Sequence, residues 1–284
     1  IYFTSRAMDA GECAKLKIMA DCAQEKVGTE LVSLQLELQS SDSIDTLINK
    51  ICENLDVVIH NAGIMLPTKV VNEVIITQTL ATNIYGPKTL TEKLLNMGKL
   101  NKSGVMVFVS SKLGEREKVA KNNKNFADML RNYDGRNSRQ PMNMENLTTL
   151  FTAYEKDIRS TNAAERKQWP NSVYAVSKLF LSLYAFVLSR EKQITDLGIK
   201  VFSCCLGWCQ TDLTKGSNAQ LTAAHHGLAT ADDIPAPGPA NCFLKSVGHS
   251  PRGAILAPGG TSRTCPGPVQ KPLVLGLANQ RYAS

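Results

Sequence analysis

Three short apolar runs, Leu55–His60, Val105–Val109 and Ile199–Cys205, punctuate this chain, and helix-forming segments separate them. A continuous run of this length suits a strand covered on both faces. Two more strands precede them: Ile1–Ser5, a short β-type run, and Leu31–Leu38, which alternates apolar and polar residues. A helix is expected at Ala7–Lys26, ended by Gly28, which tolerates positive φ. A second starts at Ser41 or Asp42, either of which can cap it, and runs to about Asn54 with Ile44, Leu47, Ile48 and Ile51 on one face. Long helices are expected at Val74–Met97 and Ser172–Lys192, another at Asp232–Val247, and a last short strand at Gly253–Leu256. Strand and helix alternate almost throughout, which predicts a parallel sheet with helices on both faces.

One stretch breaks the rhythm. Lys112–Pro170 is long, charged and Asn-rich, with helices expected near Asn125–Arg131 and Glu145–Arg166. It reads as an insertion on the surface of a single domain spanning 1–284. The tail, 259–284, is rich in Gly, Pro and Ser and is expected to be irregular.

Composition narrows the function classes. Hydrophobic residues are 43% and charged residues 20%, enough for a full core. No apolar run reaches about 18 residues, so no membrane span is expected. The first residues are too short for the apolar core of a signal peptide, so a cytoplasmic location is expected. The start on Ile1 hints at truncation. The eight cysteines include no C-x-x-C pair and no zinc-ligand spacing, so reduced thiols and no metal site are expected. His225–His226 lack a nearby Cys, Asp or Glu. The net charge is +7, and Lys112–Gln168 holds twelve Lys/Arg against eight Asp/Glu. That balance suits an anionic partner such as a cofactor phosphate. No aromatic-basic interleaving supports a nucleic-acid partner.

The chemistry centres on Tyr174 and Lys178. At i and i+4 of a helix they lie on one face, with an ammonium beside a phenol. A nearby cation favours the phenolate, so the tyrosine can exchange a proton nearer neutral pH. Taken alone, such a pair reads better as a surface pair on an amphipathic helix. Here it belongs to an ordered set. Asn61-Ala62-Gly63 directly follows one strand, Asn83 lies in the next helix, and Ser110-Ser111 ends the next strand. Tyr174 and Lys178 follow, then a strand running into Leu206-Gly207-Trp208-Cys209-Gln210-Thr211-Asp212. Ligands of open α/β sheets bind at the carboxyl ends of strands, where these residues fall.

In order and placement the set resembles the short-chain dehydrogenase/reductase superfamily, from Ile1 to about Pro258. The similarity is to its carbonyl-reductase-like branch, through the insertion, Trp169-Pro170-x-x-x-Tyr174, and Cys204-Cys205-x-Gly207-Trp208-x-x-Thr211-Asp212. The resemblance implies a Rossmann-like doubly wound parallel sheet, with a long helical insertion before the tyrosine helix. It implies NADPH-dependent reduction of a ketone, aldehyde or quinone by hydride transfer. It also implies a monomer, because the insertion covers a helix face that other members use for association.

By the same resemblance, Tyr174 is the proton donor and Ser111 holds the carbonyl oxygen, with Ser110 the less favoured serine. Lys178 lowers the tyrosine pKa and holds the nicotinamide ribose. Asn83 supports a water relay. Arg6, just after the first strand and aided by Ser5, meets a 2′-phosphate, where an acidic residue would favour NAD. Glu37 lies near the adenine, Asn61, Ala62 and Gly63 line the cofactor, and Gly207 and Thr211 bound it. Trp208 is a pocket wall or a packing residue. Leu206 stands where the family usually carries proline.

The family's turn T-G-x-x-x-G-x-G would lie upstream of Ile1, and Gly259-Gly260 is no substitute. The first strand and first helix are therefore expected to be absent. The gap falls mid-sheet, between the strands at Ile1 and Leu55, and leaves buried backbone groups unpaired at about 1–3 kcal/mol each. Such a chain is expected to fold poorly and bind cofactor weakly. This keeps an alternative open: a truncated, cofactor-free relative acting as a non-enzymatic binding or regulatory protein.

Overall fold

A seven-stranded sheet forms the centre of the computed structural model, which describes residues 1–22, 30–66, 72–120, 124–132, 142–167, 169–170 and 172–207, with the short stretches 209–210, 221–222, 245–246 and 272–275. Its strands are β1 (Tyr2–Ser5), β2 (Val32–Gln35), β3 (Leu55–His60), β4 (Leu100–Val109), β5 (Lys200–Cys204), β8 (Lys245–Ser246) and β9 (Pro272–Leu275). The short β6 (Cys209–Gln210) and β7 (Leu221–Thr222) pair with each other. The main order is β2-β1-β9-β3-β4-β5-β8. Every pairing is parallel except β5 with β8. This is the Rossmann-like doubly wound arrangement, in which strand order reverses at the middle of the sheet.

The middle is not open. β9 lies between β1 and β3, with Val274 opposite both Phe3 and Ile59. A strand thus stands where a gap was expected, and the tail from Gly259 is not irregular throughout. Pro-Leu-Val-Leu is a short apolar run of the kind that strands buried on both faces require. Pro272 opens the strand, a position where proline is tolerated. Lys245 and Ser246 likewise form a strand inside the segment read as a helix over Asp232–Val247. The rest of that segment and Gly253–Leu256 lie outside the described residues, as do Gly28 and Gly259-Gly260.

The helices follow from capping and periodicity. In α1 (Met8–Cys22), a Cβ at Gly11 would come within 2.4 Å of Ser33 Oγ, so glycine lets this helix lie near β2 without displacing the Ser33 side chain. Ser40 caps α2 (Ser41–Lys50) by accepting from Ser43 N, and Ile44, Leu47 and Ile48 are buried. The long helix expected at Val74–Met97 is divided. α3 (Glu73–Leu80) and α4 (Gly86–Asn96) are joined by a π-helical stretch, Ala81–Tyr85. Such bulges often mark functional sites, and this one carries Asn83. Ser172 caps α9 (Val173–Leu188), which bears both Tyr174 and Lys178.

The insertion forms α5 (Arg116–Ala120), α6 (Lys124–Asn132), α7 (Met144–Arg159) and α8 (Ala163–Arg166). It is not merely a surface layer. Leu147, Leu150, Phe151, Tyr154 and Ile158 of α7 are buried at helical spacing. Phe151 and Tyr154 meet Phe180 of α9 at ring-centroid distances of 4.3 and 5.5 Å. Trp169 packs on Tyr154 and Phe126, and its indole N–H donates to Asp157 Oδ2 at 2.9 Å. These side chains belong to the same buried cluster as the sheet. The average charge of the stretch conceals this stripe. A short α10 (Lys192–Asp196) precedes β5. Among the described residues no helix is long and apolar enough to cross a membrane.

Candidate active site

The site lies at the carboxyl ends of β3, β4 and β5, with α9 across it. Asn83 is fully buried. Its Oδ1 accepts from Ile64 N at 2.8 Å, and its Nδ2 donates to Ile64 O and to Ser177 Oγ, each at 3.0 Å. Both amide donors are therefore committed to protein. This clamp ties the π stretch to the segment after β3 and to α9. Ser177 Oγ in turn donates to Tyr174 O at 2.7 Å. Gly63 lies against both: a Cβ there would stand 3.0 Å from Lys178 Nζ and 3.4 Å from Asn83 Oδ1.

Lys178 is 4% exposed. Its ammonium donates to Val109 O at 2.8 Å and lies 5.9 Å from the centroid of the Tyr174 ring. Burial lowers its pKa to about 8, against smaller opposing contributions from Cys205 and Cys204. Tyr174 is shifted upward, chiefly by burial, while a hydrogen bond with Ser111 works the other way. Burial, rather than the cation, governs the phenol. This differs from the lowered tyrosine that the resemblance implies.

The two serines divide their work. Ser110 Oγ donates to Lys178 O at 2.8 Å and accepts from Ser182 Oγ at 2.7 Å, so it faces the helix backbone. Ser111 faces Tyr174 and caps the 3₁₀ turn Lys112–Gly114 by accepting from Leu113 N at 3.2 Å. That turn packs against α9 through Gly114, where a Cβ would come within 2.7 Å of Leu179 N. Cys205 Sγ accepts from Lys112 N at 3.1 Å and Gly207 N at 3.4 Å, bridging the turns after β4 and β5. The pattern did not single out Ser177, Gly114 or the Ile64 backbone, and it marked Cys205 only as part of the turn motif after β5. Ser177 carried a signal one helical turn beyond Tyr174.

Other candidates stand apart. Arg6 follows β1 and is exposed, and its carbonyl accepts from Gln35 Nε2 at 3.0 Å. Ser5 Oγ donates to Ala7 O. Glu37 follows β2 half-buried, and its Oε1 accepts from Gln39 N at 3.2 Å. Asn61 and Ala62 lie half-buried beyond β3. Gly207 is exposed at φ 90°, a backbone setting that favours glycine. Thr211 and Trp208 lie outside the described residues, as do His225 and His226. No cluster of three or more His, Cys, Asp or Glu that could hold a metal ion occurs among the described residues.

The residues present fit a nicotinamide dinucleotide. Lys178 Nζ donates to one carbonyl, Val109 O, at the carboxyl end of β4. Gly63 leaves the space in front of it clear of a side chain, and Arg6 offers an exposed cation beside β1.

The family model for short chain dehydrogenase matches residues 7–123. A (+)-neomenthol dehydrogenase from Capsicum annuum is 28% identical over 182 residues, covering 63% of this chain and 54% of that protein. Carbonyl reductase [NADPH] 1 of Mus musculus is 25% identical over 224 residues, covering 75% and 73%. The chain is therefore similar to short-chain dehydrogenases over residues 7–123 and to carbonyl reductases over three quarters of its length. The match thus spans little more than half the length of the neomenthol dehydrogenase. Two solved structures share the fold. Salutaridine reductase from Papaver somniferum superposes with a TM-score of 0.62 at 22% identity, covering 78% of this chain and 83% of that one. Menthone neomenthol reductase from Mentha piperita gives 0.57 at 21%, covering 72% and 79%.

Proposed function

We propose that this chain is an NADPH-dependent carbonyl reductase, acting on a ketone, aldehyde or quinone, with Tyr174 as proton donor. The observation that carries it is the packed array of Gly63, Asn83, Ser111, Tyr174 and Lys178 at one edge of the sheet. The names of the carbonyl reductases and reductases it resembles support the same chemistry. When bound, the dihydronicotinamide would supply hydride.

The chain's own residues supply the rest. Ser111 donates to the carbonyl oxygen and fixes it beside Tyr174. A phenol that burial keeps protonated is in the form that reduction consumes, and it gives its proton to that oxygen as charge develops. Lys178, charged at pH 7, stabilises the phenolate left behind and holds the nicotinamide ribose with its remaining protons. Asn83 is a positioning residue. Because both its amide donors are committed, any relay of protons to solvent runs from its main chain.

Arg6 points to NADPH over NADH, since a guanidinium meets a 2′-phosphate with charge-assisted bonds. Asn61, Ala62 and Gly207 border the cofactor, with Glu37 towards its adenine and Thr211 towards its carboxamide or phosphates. The working unit is a soluble cytoplasmic monomer in one domain. The test is oxidation of NADPH by the purified chain with a panel of ketones, aldehydes and quinones, in wild type and Tyr174→Phe. Turnover lost in the variant is the expected result. Equal turnover in both would remove Tyr174 from the mechanism.

A further inference from the structure

We propose that Glu155 and Tyr85 are positioning residues for the reaction: through them α7 of the insertion braces the π stretch from outside and sets where the main chain of Asn83 lies. The proposal rests on the reading above that Asn83 belongs to a carbonyl-reducing site. It gives the insertion a part in the chemistry, beyond its packing on α9.

Local structure is the first argument. Ala81–Tyr85 closes a wider turn than an α-helix, with Gly86 N donating to Ala81 O. Such turns are rare, so the surroundings must favour this one over a regular helix. Two side chains do so. Asn83 and Tyr85 are two residues apart, and at that spacing side chains leave a helix in different directions. Asn83 is bonded inward, to Ile64 and to Ser177 of α9. Tyr85 reaches the other way, and its Oη donates to Glu155 Oε2 of α7 at 2.5 Å. The stretch is gripped from both sides, by the site and by the insertion.

The brace extends beyond that one bond. The second oxygen of Glu155, Oε1, accepts from Arg159 Nη2 at 2.8 Å, one turn further along α7. Arg159 Nη1 donates to Glu73 Oε1 and, at 3.1 Å, to Thr77 Oγ1, both on α3. Thr77 Oγ1 donates to Glu73 Oε1 at 3.0 Å. Glu155 thus gives one oxygen to Tyr85 and one to Arg159, and α7 holds both α3 and the π stretch that follows it. The side chains of Arg159 and Glu155 are 26% and 32% exposed. Ion pairs this open to water add little to stability, so the consequence of the arrangement is geometric. A hydrogen bond to a carboxylate is short and directional. Burial, and then the bond to the Glu155 carboxylate, raise the Tyr85 phenol above its ordinary pKa, so it remains a donor.

Kinetics and hydrogen exchange on the full chain test the brace. Tyr85→Phe and Glu155→Leu should each lower kcat for carbonyl reduction by NADPH about tenfold, with KM for the carbonyl and Kd for NADPH within about twofold, the signature of lost transition-state stabilisation. Glu155→Gln, whose amide can still bond the phenol, should stay within about twofold of wild type. Amides of 81–86 should exchange about tenfold faster in Tyr85→Phe and Glu155→Leu, with those of 105–109 unchanged. The double variant should lose no more than either single one, since each breaks the same bond. Unchanged exchange in both variants, or a kcat equal to that of an active wild type, overturns the proposal while the reductase reading stands. Equal losses in Glu155→Gln and Glu155→Leu also overturn it, because the bond to Tyr85 would then not be what matters. Faster exchange in the variants with no turnover by any form, wild type included, upholds the brace and sinks the reductase reading instead.

Discussion

At the carboxyl ends of β3, β4 and β5, Asn83, Ser177 and Lys178 are buried and bonded to one another's neighbourhood through the backbones of Ile64, Tyr174 and Val109. At the ends of β1 and β2, Arg6 is exposed, and Glu37 Oε1 accepts from Gln39 N within its own turn. One half of the crevice is held in shape by the fold, and the other half waits for a ligand to give its side chains something to bind. The difference separates two classes of mutation. In the first half a change disturbs stability and chemistry together. In the second it alters recognition alone.

The largest effect should come from the one substitution in the buried half that spares the packing. Tyr174→Phe removes a hydroxyl and keeps the ring, so kcat should fall by about 10²–10⁴, the usual contribution of a positioned proton donor. NADPH binding and the thermal midpoint should hardly move. A large loss of stability in this variant would erase the distinction between chemistry and scaffold at this position. Asn83→Leu should do the opposite. It leaves both backbone groups of Ile64 and the Ser177 hydroxyl short of a partner, at about 1–3 kcal/mol per buried group. Urea unfolding should show a loss of about 2–4 kcal/mol, with turnover falling as well. A loss below about 0.5 kcal/mol would mean that the clamp does not hold the site.

How much of this was legible in the sequence follows the same division. The strands at Leu55–His60 and Ile199–Cys205, and the helix from Ser172, announce themselves by continuous apolar runs and a capping serine. Tyr174, Lys178, Ser111 and Asn83 stood out because their order and placement resemble those of the short-chain dehydrogenase/reductases. What periodicity could not show was contact between segments far apart in the chain. The π stretch at Asn83 continues the helix without a break in composition, so only the hydrogen bonds to Ile64 and Ser177 reveal it. β9 is four residues long and sits in a stretch dominated by Gly, Pro and Ser, which hides it. The insertion misled in another way: twelve basic residues dilute an apolar stripe that is clear only along α7.

Lys178 offers a way to measure the cost of burial in the first half. An unfolded lysine keeps its proton to about pH 10.5, and this one releases it at about 8. Between those values the unfolded chain binds more protons, so this group's contribution to stability rises as pH climbs from 8 to 10.5. Below 8 both states are charged and the penalty is fully present. Lys178→Met should therefore gain on wild type at pH 7, and the gap should narrow through that window. Each pKa unit corresponds to about 1.4 kcal/mol, so a change of a few kcal/mol is expected. A gap independent of pH would show that the ammonium is solvated in the unliganded chain.

Arg6→Ala probes the second half. Bonds to a charged group are worth about 1.5–3 kcal/mol, so the Kd for NADPH should rise about 10- to 100-fold. The Kd for NADH and the unfolding midpoint should stay nearly constant, because the side chain is exposed in the unliganded chain. Equal losses for both cofactors would place Arg6 at the shared pyrophosphate instead of the 2′-phosphate.

Glu37→Gln should have the smallest effect and give the sharpest comparison. The carboxylate accepts from Gln39 N at 3.2 Å, and an amide oxygen keeps that bond. The backbone bond from Glu37 N to Ser43 Oγ at 2.9 Å does not involve the side chain at all. Stability should change by less than about 0.5 kcal/mol, as for surface substitutions generally. If the side chain lies near the adenine, the neutral amide still accepts a hydrogen bond, so NADPH affinity should shift by about twofold or less at ordinary salt. A tenfold gain would show that the negative charge repels the cofactor's phosphates across the end of β2. The second half would then tune affinity by field as well as by contact. A tenfold loss would require the charge itself to be read by the adenosine, and the open half would no longer rest on Arg6 alone.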